Sequence, residues 1–338
     1  MTARENLYVW ARAAFERLPE PVRQDAMRRR MERRRRQGLG QLKENQAMLA
    51  LRLAELERRV AAARTVPAEV PDARFPAGVR SRLCTQAQLD EPWYAKWCDA
   101  MAIPNWANRK VWEFTYIAHV LDALGMLEPG RRGLGFGVGR EPMVAAFAAR
   151  GATIVATDLA PEAQEALGWA HSDQHANSVE SMQRPEVCDP EQFRSLVSWR
   201  PVDMRDIPTD LRGFDFCWSA CSLEHLGTLA AGWDFVENSL ATLAPGGIAV
   251  HTTEYNVGSN DDTIEAGGTV VYRERDVLEL VQRLEAAGHE VAAVDLNPGD
   301  GVLDKYVDLP PYADEPVLRF LLGQYTLTSV AIVVRTAQ

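Results

Sequence analysis

The stretch Gly133-Leu134-Gly135-Phe136-Gly137-Val138-Gly139-Arg140-Glu141-Pro142 constrains this chain more than any other. Four glycines alternate with apolar or aromatic residues. A strand interior tolerates such a run poorly, because each glycine weakens it. Glycine without a Cβ lets the backbone turn at φ > 0 and lets a ligand approach the main chain closely. The spacing therefore predicts a short strand, a tight turn, and a helix over Met143–Arg150 that Gly151 terminates. Thr153-Ile154-Val155-Ala156-Thr157-Asp158 follows, a β-branched run closing on a carboxylate. Strand, glycine turn, helix, strand and an acid about 20 residues on form the nucleotide-binding arrangement of an open α/β sheet. The dinucleotide fingerprint is G-x-G-x-x-G, whereas glycines at 133, 135, 137 and 139 give G-x-G-x-G.

Three later segments extend the pattern in order. Val202-Asp203-Met204-Arg205-Asp206-Ile207-Pro208 is similar to a G-D-A-x-x-L-P segment. Phe214–Leu226 (FDFCWSACSLEHL) is similar to F-D-x-V-x-S-x-x-x-L-E-H, and Leu243–Val250 (LAPGGIAV) to an L-x-P-G-G turn entering a strand. With the glycine loop and Asp158, they resemble the class I S-adenosylmethionine-dependent methyltransferases over roughly 200 residues, the size of one domain. The resemblance implies a Rossmann-like α/β fold with a seven-stranded sheet in the order 3-2-1-4-5-7-6. It implies S-adenosylmethionine as cofactor. It places Gly135, Phe136, Gly137, Gly139, Asp158, Leu159, Asp203, Met204, Ser219 and Cys221 around that cofactor, with Asp158 on the ribose hydroxyls and Asp203 beside the adenine. One position departs from the family. Its usual acid, two residues before the first glycine of G-x-G-x-G, is Gly133 here, so the acid's task at the methionine end falls to another residue, for which Glu141 is the candidate, or is not done.

Charge divides the chain. Residues 1–64 hold 16 Lys and Arg against 8 Asp and Glu, while the rest holds 21 against 39. The acidic part has no basic stripe, which argues against a nucleic-acid substrate. Five cysteines form no metal-ligand spacing. An odd cysteine count and a start without a long apolar segment predict a reducing, cytoplasmic setting. No run has the length of a membrane span.

The organisation expected is an arm over 1–64, a linker over 65–80, a helical cover over 81–130, and the methyltransferase domain over 131–338. The arm should be helical, interrupted at Pro19 and Pro21. Its run Arg28–Arg36 has two readings: a solvated helix face, or attraction to a polyanion or an anionic membrane such as the inner membrane. Leu39, Gln46, Leu53 and Val60 fall at one heptad position, and Leu42, Leu49, Leu56 and Ala63 at the other. That is a coiled-coil seam, and the homo-oligomer it predicts is set against a helix packed on its own domain. In the cover, Trp93, Tyr94, Trp97, Trp106, Trp112 and Tyr116 suit a core. The second reading is that the aromatic cover contacts the acceptor, since a sugar ring stacks on Trp, with Asn108, Arg109 and Lys110 the polar residues of the cover expected to face the cleft. The third strand is expected at about Val202, after an insertion carrying His171 and His175, a pair with metal spacing but no third ligand.

Methyl transfer to an oxygen needs a base or a metal near the acceptor. The fifth strand is expected to end near Thr252 or Thr253, exposing Glu254, Tyr255 and Asn256 at the rim. Glu254, His225 and His251 are the catalytic candidates. His225 is set against a loop-fastening role and His251 against a core histidine. No metal is assigned, although Asp261 and Asp262 follow on a loop. The acceptor expected is a saccharide hydroxyl of a bacterial surface glycan. A small natural product is the second reading, and a non-catalytic cofactor-binding scaffold the third.

Overall fold

The computed structural model describes residues 20–61, 74–160 and 176–338. His171, His175, Pro19, Ala63 and most of the expected linker lie outside them. Two units divide the chain, Met1–Arg52 and Leu53–Gln338. A single helix, α1, runs from Glu20 to Ala61, with Pro21 in its first turn rather than breaking it. Proline there forfeits an N–H that has no helical partner anyway. The heptad leucines Leu39, Leu42, Leu49, Leu53 and Leu56 are between 41% and 57% exposed. Within the second unit, the last turns of α1 are tied down. Glu57 Oε2 accepts from Gln86 Nε2 and from the Val302 amide, both at 2.9 Å.

Chain order then gives β1 (Ser81–Leu83), α2 (Gln86–Leu89), α3 (Pro92–Ala100), α4 (Arg109–Ala123), β2 (Arg132–Gly135), α5 (Met143–Ala149) and β3 (Thr153–Asp158). After the insertion come α6 (Pro190–Leu196), β4 (Val197–Pro201), β5 (Phe214–Ala220), α7 (Leu229–Leu240) and β6 (Leu243–Asn256). The last part holds α8 (Glu274–Ala286), β7 (Glu290–Val291), β8 (Val294–Asp295), α9 (Val302–Lys305), β9 (Val307–Asp308), β10 (Arg319–Leu322) and β11 (Tyr325–Arg335).

The sheet path is β4-β3-β2-β5-β6-β11-β1-β8. The first five strands are mutually parallel, and β11 runs antiparallel along β6. Parallel strands buried on both faces read as near-continuous apolar runs, and FDFCWSA of β5 is one. Residues 290–295 divide their pairing. Val291 faces Val334 of β11, whereas Val294 and Asp295 pair with β1. The strand Ser81–Leu83 was not expected, since that region reads as helical cover. Its short run pairs with β11 through Arg82↔Ala331 and carries the sheet one strand further.

Two strand boundaries also correct the sequence reading. The third strand ends at Pro201, because its register on β3 runs from Ile154↔Val197 to Asp158↔Pro201. The fifth strand does not stop at Thr252 or Thr253. Its parallel pairing with β5 ends at Ala220↔Thr252, but antiparallel pairing with β11 continues to Asn256↔Leu327. Glu254 is therefore on the strand, beyond the last residue of its parallel neighbour.

The aromatic residues of the cover are mostly core. Trp97, Trp112 and Tyr116 are buried, Trp112 stacks on Tyr116 at 4.9 Å, and Trp93 stacks on His119 at 4.9 Å. Helix α4 packs on β6 and β11 and is capped by Asn108, whose side chain accepts from the Lys110 amide at 2.7 Å. Arg109, Lys110 and Glu113 thus lie in the first two turns of a helix lying over the sheet.

Candidate active site

The glycine turn is tied to both neighbouring strands. The Phe136 amide donates to Trp218 O at 2.9 Å, the Val138 amide to Thr157 O at 3.1 Å, and Thr157 Oγ1 to Gly135 O at 2.7 Å. Gly137 and Gly139 have φ of 57° and 50°, where a side chain is disfavoured. Ser222, which sequence reasoning passed over, fastens the turn from the other side by donating from Oγ to Gly137 O at 3.2 Å.

The departure at Gly133 has a packing cause. A Cβ there would lie 2.3 Å from the Phe216 ring. Likewise a Cβ on Gly135 would lie 2.4 Å from Val138 and 2.5 Å from Trp218. Large aromatics on β5 have taken the volume in which the usual acid would stand. Gly133→Asp is expected to destabilise the fold by about 1–3 kcal/mol from overpacking alone. Urea unfolding checks this, and an unchanged midpoint would mean that the Phe216 ring yields.

The remaining cofactor candidates separate into two groups. Asp158 is buried at the end of β3, with Oδ1 accepting from the Leu159 amide at 2.7 Å and Oδ2 from the Ala176 amide at 2.9 Å. Met204 is buried, and its sulfur would lie 3.4 Å from a Cβ on Gly137, so it lines the turn. Glu141 Oε2 is buried without a hydrogen-bond partner, and burial raises its carboxyl well above the usual range. Against these, Asp203 is clasped by Arg205, with Nη2 to Oδ2 at 2.7 Å and Nε to Oδ1 at 3.0 Å. Ser219 turns its side chain into the core, where Oγ shares a hydrogen bond with His251 Nδ1 at 2.8 Å.

The carboxyl ends of β5 and β6 meet the first turn of α4 in a buried charge cluster. Arg109 Nη2 pairs with Glu254 Oε1 at 2.8 Å, and Arg109 Nη1 with Glu113 Oε1 at 3.1 Å. Lys110 Nζ pairs with Glu113 Oε2 at 3.0 Å. Ser329 Oγ of β11 and Cys221 Sγ also donate to Glu113 Oε1, the thiol at 3.1 Å. Cys221 sits just past β5 at φ 45°, a left-handed conformation that non-glycine residues seldom adopt and that tends to gather at functional sites. Sequence reasoning placed Arg109 and Lys110 toward the cleft but missed Glu113. The signal was a carboxylate set among the apolar residues Val111, Trp112 and Phe114 of α4, and it is fully buried.

Burial raises the Glu254 carboxyl to about 7, opposed by Arg109 and reinforced by Glu224 and Glu113. Its Oε2 atom is buried with no hydrogen-bond partner. Cys221, Glu224 and Glu254 present ligand-type atoms within 4.8 Å of one another. The Arg109 guanidinium already on Glu254, and the thiol proton already directed at Glu113, make this an ion-paired cluster rather than a metal centre.

The two histidines stand apart from that cluster in kind. His251 is fully buried, with Nδ1 bonded to Ser219 Oγ and Nε2 to Ser239 Oγ at 3.0 Å. Burial lowers its pKa to about 3, and both ring nitrogens are engaged, so it is a satisfied core histidine. His225 is half-buried, and its Nδ1 meets Gly268 O at 2.8 Å, fastening the loop that follows β6. The preceding Glu224 accepts from Thr253 Oγ1 at 3.1 Å and is buried.

Residues 134–251 match the family model described as a methyltransferase domain. No curated protein matches the chain in sequence. Among solved structures, the N-terminal domain of EvdMO1 in the presence of SAH and D-fucose is similar at 15% identity. That match covers 65% of this chain and 82% of that one, with a TM-score of 0.38. The glycopeptide N-methyltransferase MtfA is similar at 10% identity, covering 65% and 94%, with a TM-score of 0.38. TrmN from Thermus thermophilus is similar at 16% identity, covering 66% and 48%, with a TM-score of 0.34. The chain spans about half the length of some of the structures it matches, 52% in one case and 41% of EvdMO1 in another. With TM-scores this low, these likenesses add nothing to the family match and the motifs inside it.

Proposed function

We propose that this chain, a class I S-adenosylmethionine-dependent methyltransferase by the domain it carries, methylates a hydroxyl of a saccharide, with Glu254 as general base. The single observation behind the base is the state of Glu254: buried, held on Oε1 by Arg109, and with Oε2 lacking a partner. S-adenosylmethionine supplies a methyl group made electrophilic by its sulfonium. The residues fit it: a turn of positive-φ glycines, an acid ending β3, and an orphaned carboxylate oxygen on Glu141 suited to the ammonium of its methionine end. What the chain then contributes is orientation of the acceptor hydroxyl and removal of its proton by Glu254 Oε2. A hydroxyl is a weak nucleophile when protonated, and a buried carboxylate raised to about 7 is matched to that task near neutral pH.

An acidic domain without a basic stripe favours an uncharged or cationic acceptor over a nucleic acid. Incubation with methyl-tritiated S-adenosylmethionine and either cell-surface glycan extracts or small phenolic natural products distinguishes the two acceptor classes. Label entering only the phenolic set would overturn the saccharide reading. Label in neither, with tight S-adenosylhomocysteine binding, would favour the cofactor-binding scaffold.

Asp158→Ala is expected to weaken S-adenosylhomocysteine binding by about 10- to 150-fold, because a hydrogen bond to a charged acceptor is worth about 1.5–3 kcal/mol. Titration calorimetry measures it, and parental affinity would remove Asp158 from the ribose.

For the arm, the exposed leucine stripe on α1 supports pairing with a second copy, since such a stripe is otherwise left in water. Leu42→Glu with Leu49→Glu should lower the subunit count by light scattering while leaving cofactor affinity unchanged. An unaltered count would leave the arm without that role. Arg28, Arg29, Arg33, Arg35 and Arg36 are exposed on the same helix and suit an anionic membrane face, which would put the enzyme at the inner membrane's cytoplasmic side.

A further inference from the structure

We propose that Arg109 is a positioning residue that grips one oxygen of Glu254 and so leaves the other directed to the acceptor. The inference rests on the reading of Glu254 as base and adds what holds that base in place.

The sequence Arg109-Lys110-Val111-Trp112-Glu113 opens α4, and spacings of three and four put all three charges on one helical face. That face lies against β6 and β11. The guanidinium uses its two arms for different elements. Nη1 binds Glu113 on its own helix and Ser329 of β11 at 3.1 Å each, while Nη2 binds Glu254 of β6 at 2.8 Å. Its plane is held over the Phe320 ring of β10 at 4.3 Å. A planar fork fixed by two acids, a hydroxyl and a ring has little freedom. Among the described residues, Arg109 is the one ion-pair partner of Glu254. Lysine, a single point charge, cannot hold Glu113 and Glu254 with the same geometry.

The charged and titratable groups that face Glu254 come from several elements. Arg109, Lys110 and Glu113 come from α4, and Glu224 from the segment after β5. Cys221 lies beside Glu254 after β5, and Tyr312 comes from the loop before β10. Glu113 and Glu224 both repel a second negative charge, as burial also does. Arg109 is the group in direct contact that opposes them. It therefore decides whether Glu254 ionises within the working pH range, and it does so through its contact with Glu254.

The test needs no acceptor. Protein labelled with carbon-13 at the glutamate carboxyl is titrated by NMR with S-adenosylhomocysteine bound, for the parent and for Glu254→Gln, Arg109→Met and Arg109→Lys. The parent should show one carboxyl with a midpoint about 7 that is missing from Glu254→Gln. In Arg109→Met that midpoint should rise by about one to three pH units, since a cation beside a carboxylate lowers its pKa by that amount. Arg109→Lys should bring it part of the way back. Should Arg109→Met fail to bind S-adenosylhomocysteine, Arg109→Lys decides, and its midpoint must still lie above the parent's. An unchanged midpoint in a folded Arg109 variant overturns the positioning role while leaving the base intact. Absence from the parent of any such carboxyl that Glu254→Gln removes overturns the base reading, and this inference with it.

Discussion

Glu254→Gln should lower kcat by about 10²–10⁴, the usual yield of a general base. The amide keeps the shape and one acceptor atom for Arg109 but cannot take a proton. In the parent, kcat should rise with pH through about 7 and level off above it, because the carboxyl must be ionised to act. In the variant that limb should vanish. The sign of the stability effect is opposite. A carboxyl whose folded pKa is raised from 4.5 to about 7 favours the folded state at low pH, and that contribution is lost as pH rises through the folded value. The parent should therefore lose stability between about pH 4.5 and 7, where it gains activity, and the Gln variant should lack that loss. Cofactor affinity should not change. A Glu254→Gln enzyme with parental turnover would leave orientation as the whole source of catalysis.

Glu113→Ala should cost about 3–5 kcal/mol of stability, the typical penalty for breaking a buried ion pair by removing one partner. Glu113 is fully buried and serves Lys110, Arg109, Ser329 and Cys221 together. Burial pushes its carboxyl up, but Lys110 and Arg109 outweigh burial, and the net value lies below the usual range. A depressed carboxylate stabilises above its unfolded pKa, and that stability is lost as pH falls through the folded value. The parent and Glu113→Ala should thus differ most near neutral pH and converge in acid. Urea midpoints at two pH values measure both. A difference below about 1 kcal/mol at neutral pH would place this cluster with the surface pairs, whose worth is that small.

The site was unevenly legible. The glycine turn and Asp158 were readable because their signals are local: a turn needs glycine where φ is positive, and a strand end announces itself by the change from β-branched to acidic residues. Glu254 was picked for a reason that the structure replaces. It was expected past a strand end, yet it sits on β6, which β11 carries on after β5 has stopped. Ser219 and His251 were chosen from their place in the motifs, but face is decided by which neighbour packs on each side, and both point into the core. Glu113 gave one clue, a charge in an apolar helical face, with nothing in the sequence to say which groups would neutralise it.

What the sequence by itself determined was the order of local events. These were a glycine loop between two strands, the acid that follows, the apolar runs that become parallel strands, and a long helix with a leucine stripe. Each depends on backbone conformation or on periodicity within a few residues, so each can be read without knowing the partner. Tertiary structure alone decided which acids became partners. Residues 109, 113, 221, 254 and 329 come from three elements and the segment after β5, and the Arg109–Glu254 ion pair and the hydrogen bonds of Cys221 and Ser329 to Glu113 form only once α4 lies across β6 and β11. The same packing decided Gly133, where Phe216 from the neighbouring strand fills the volume of the usual acid. Burial and charge balance are sums over neighbours distant in the chain, and those sums exist only after folding.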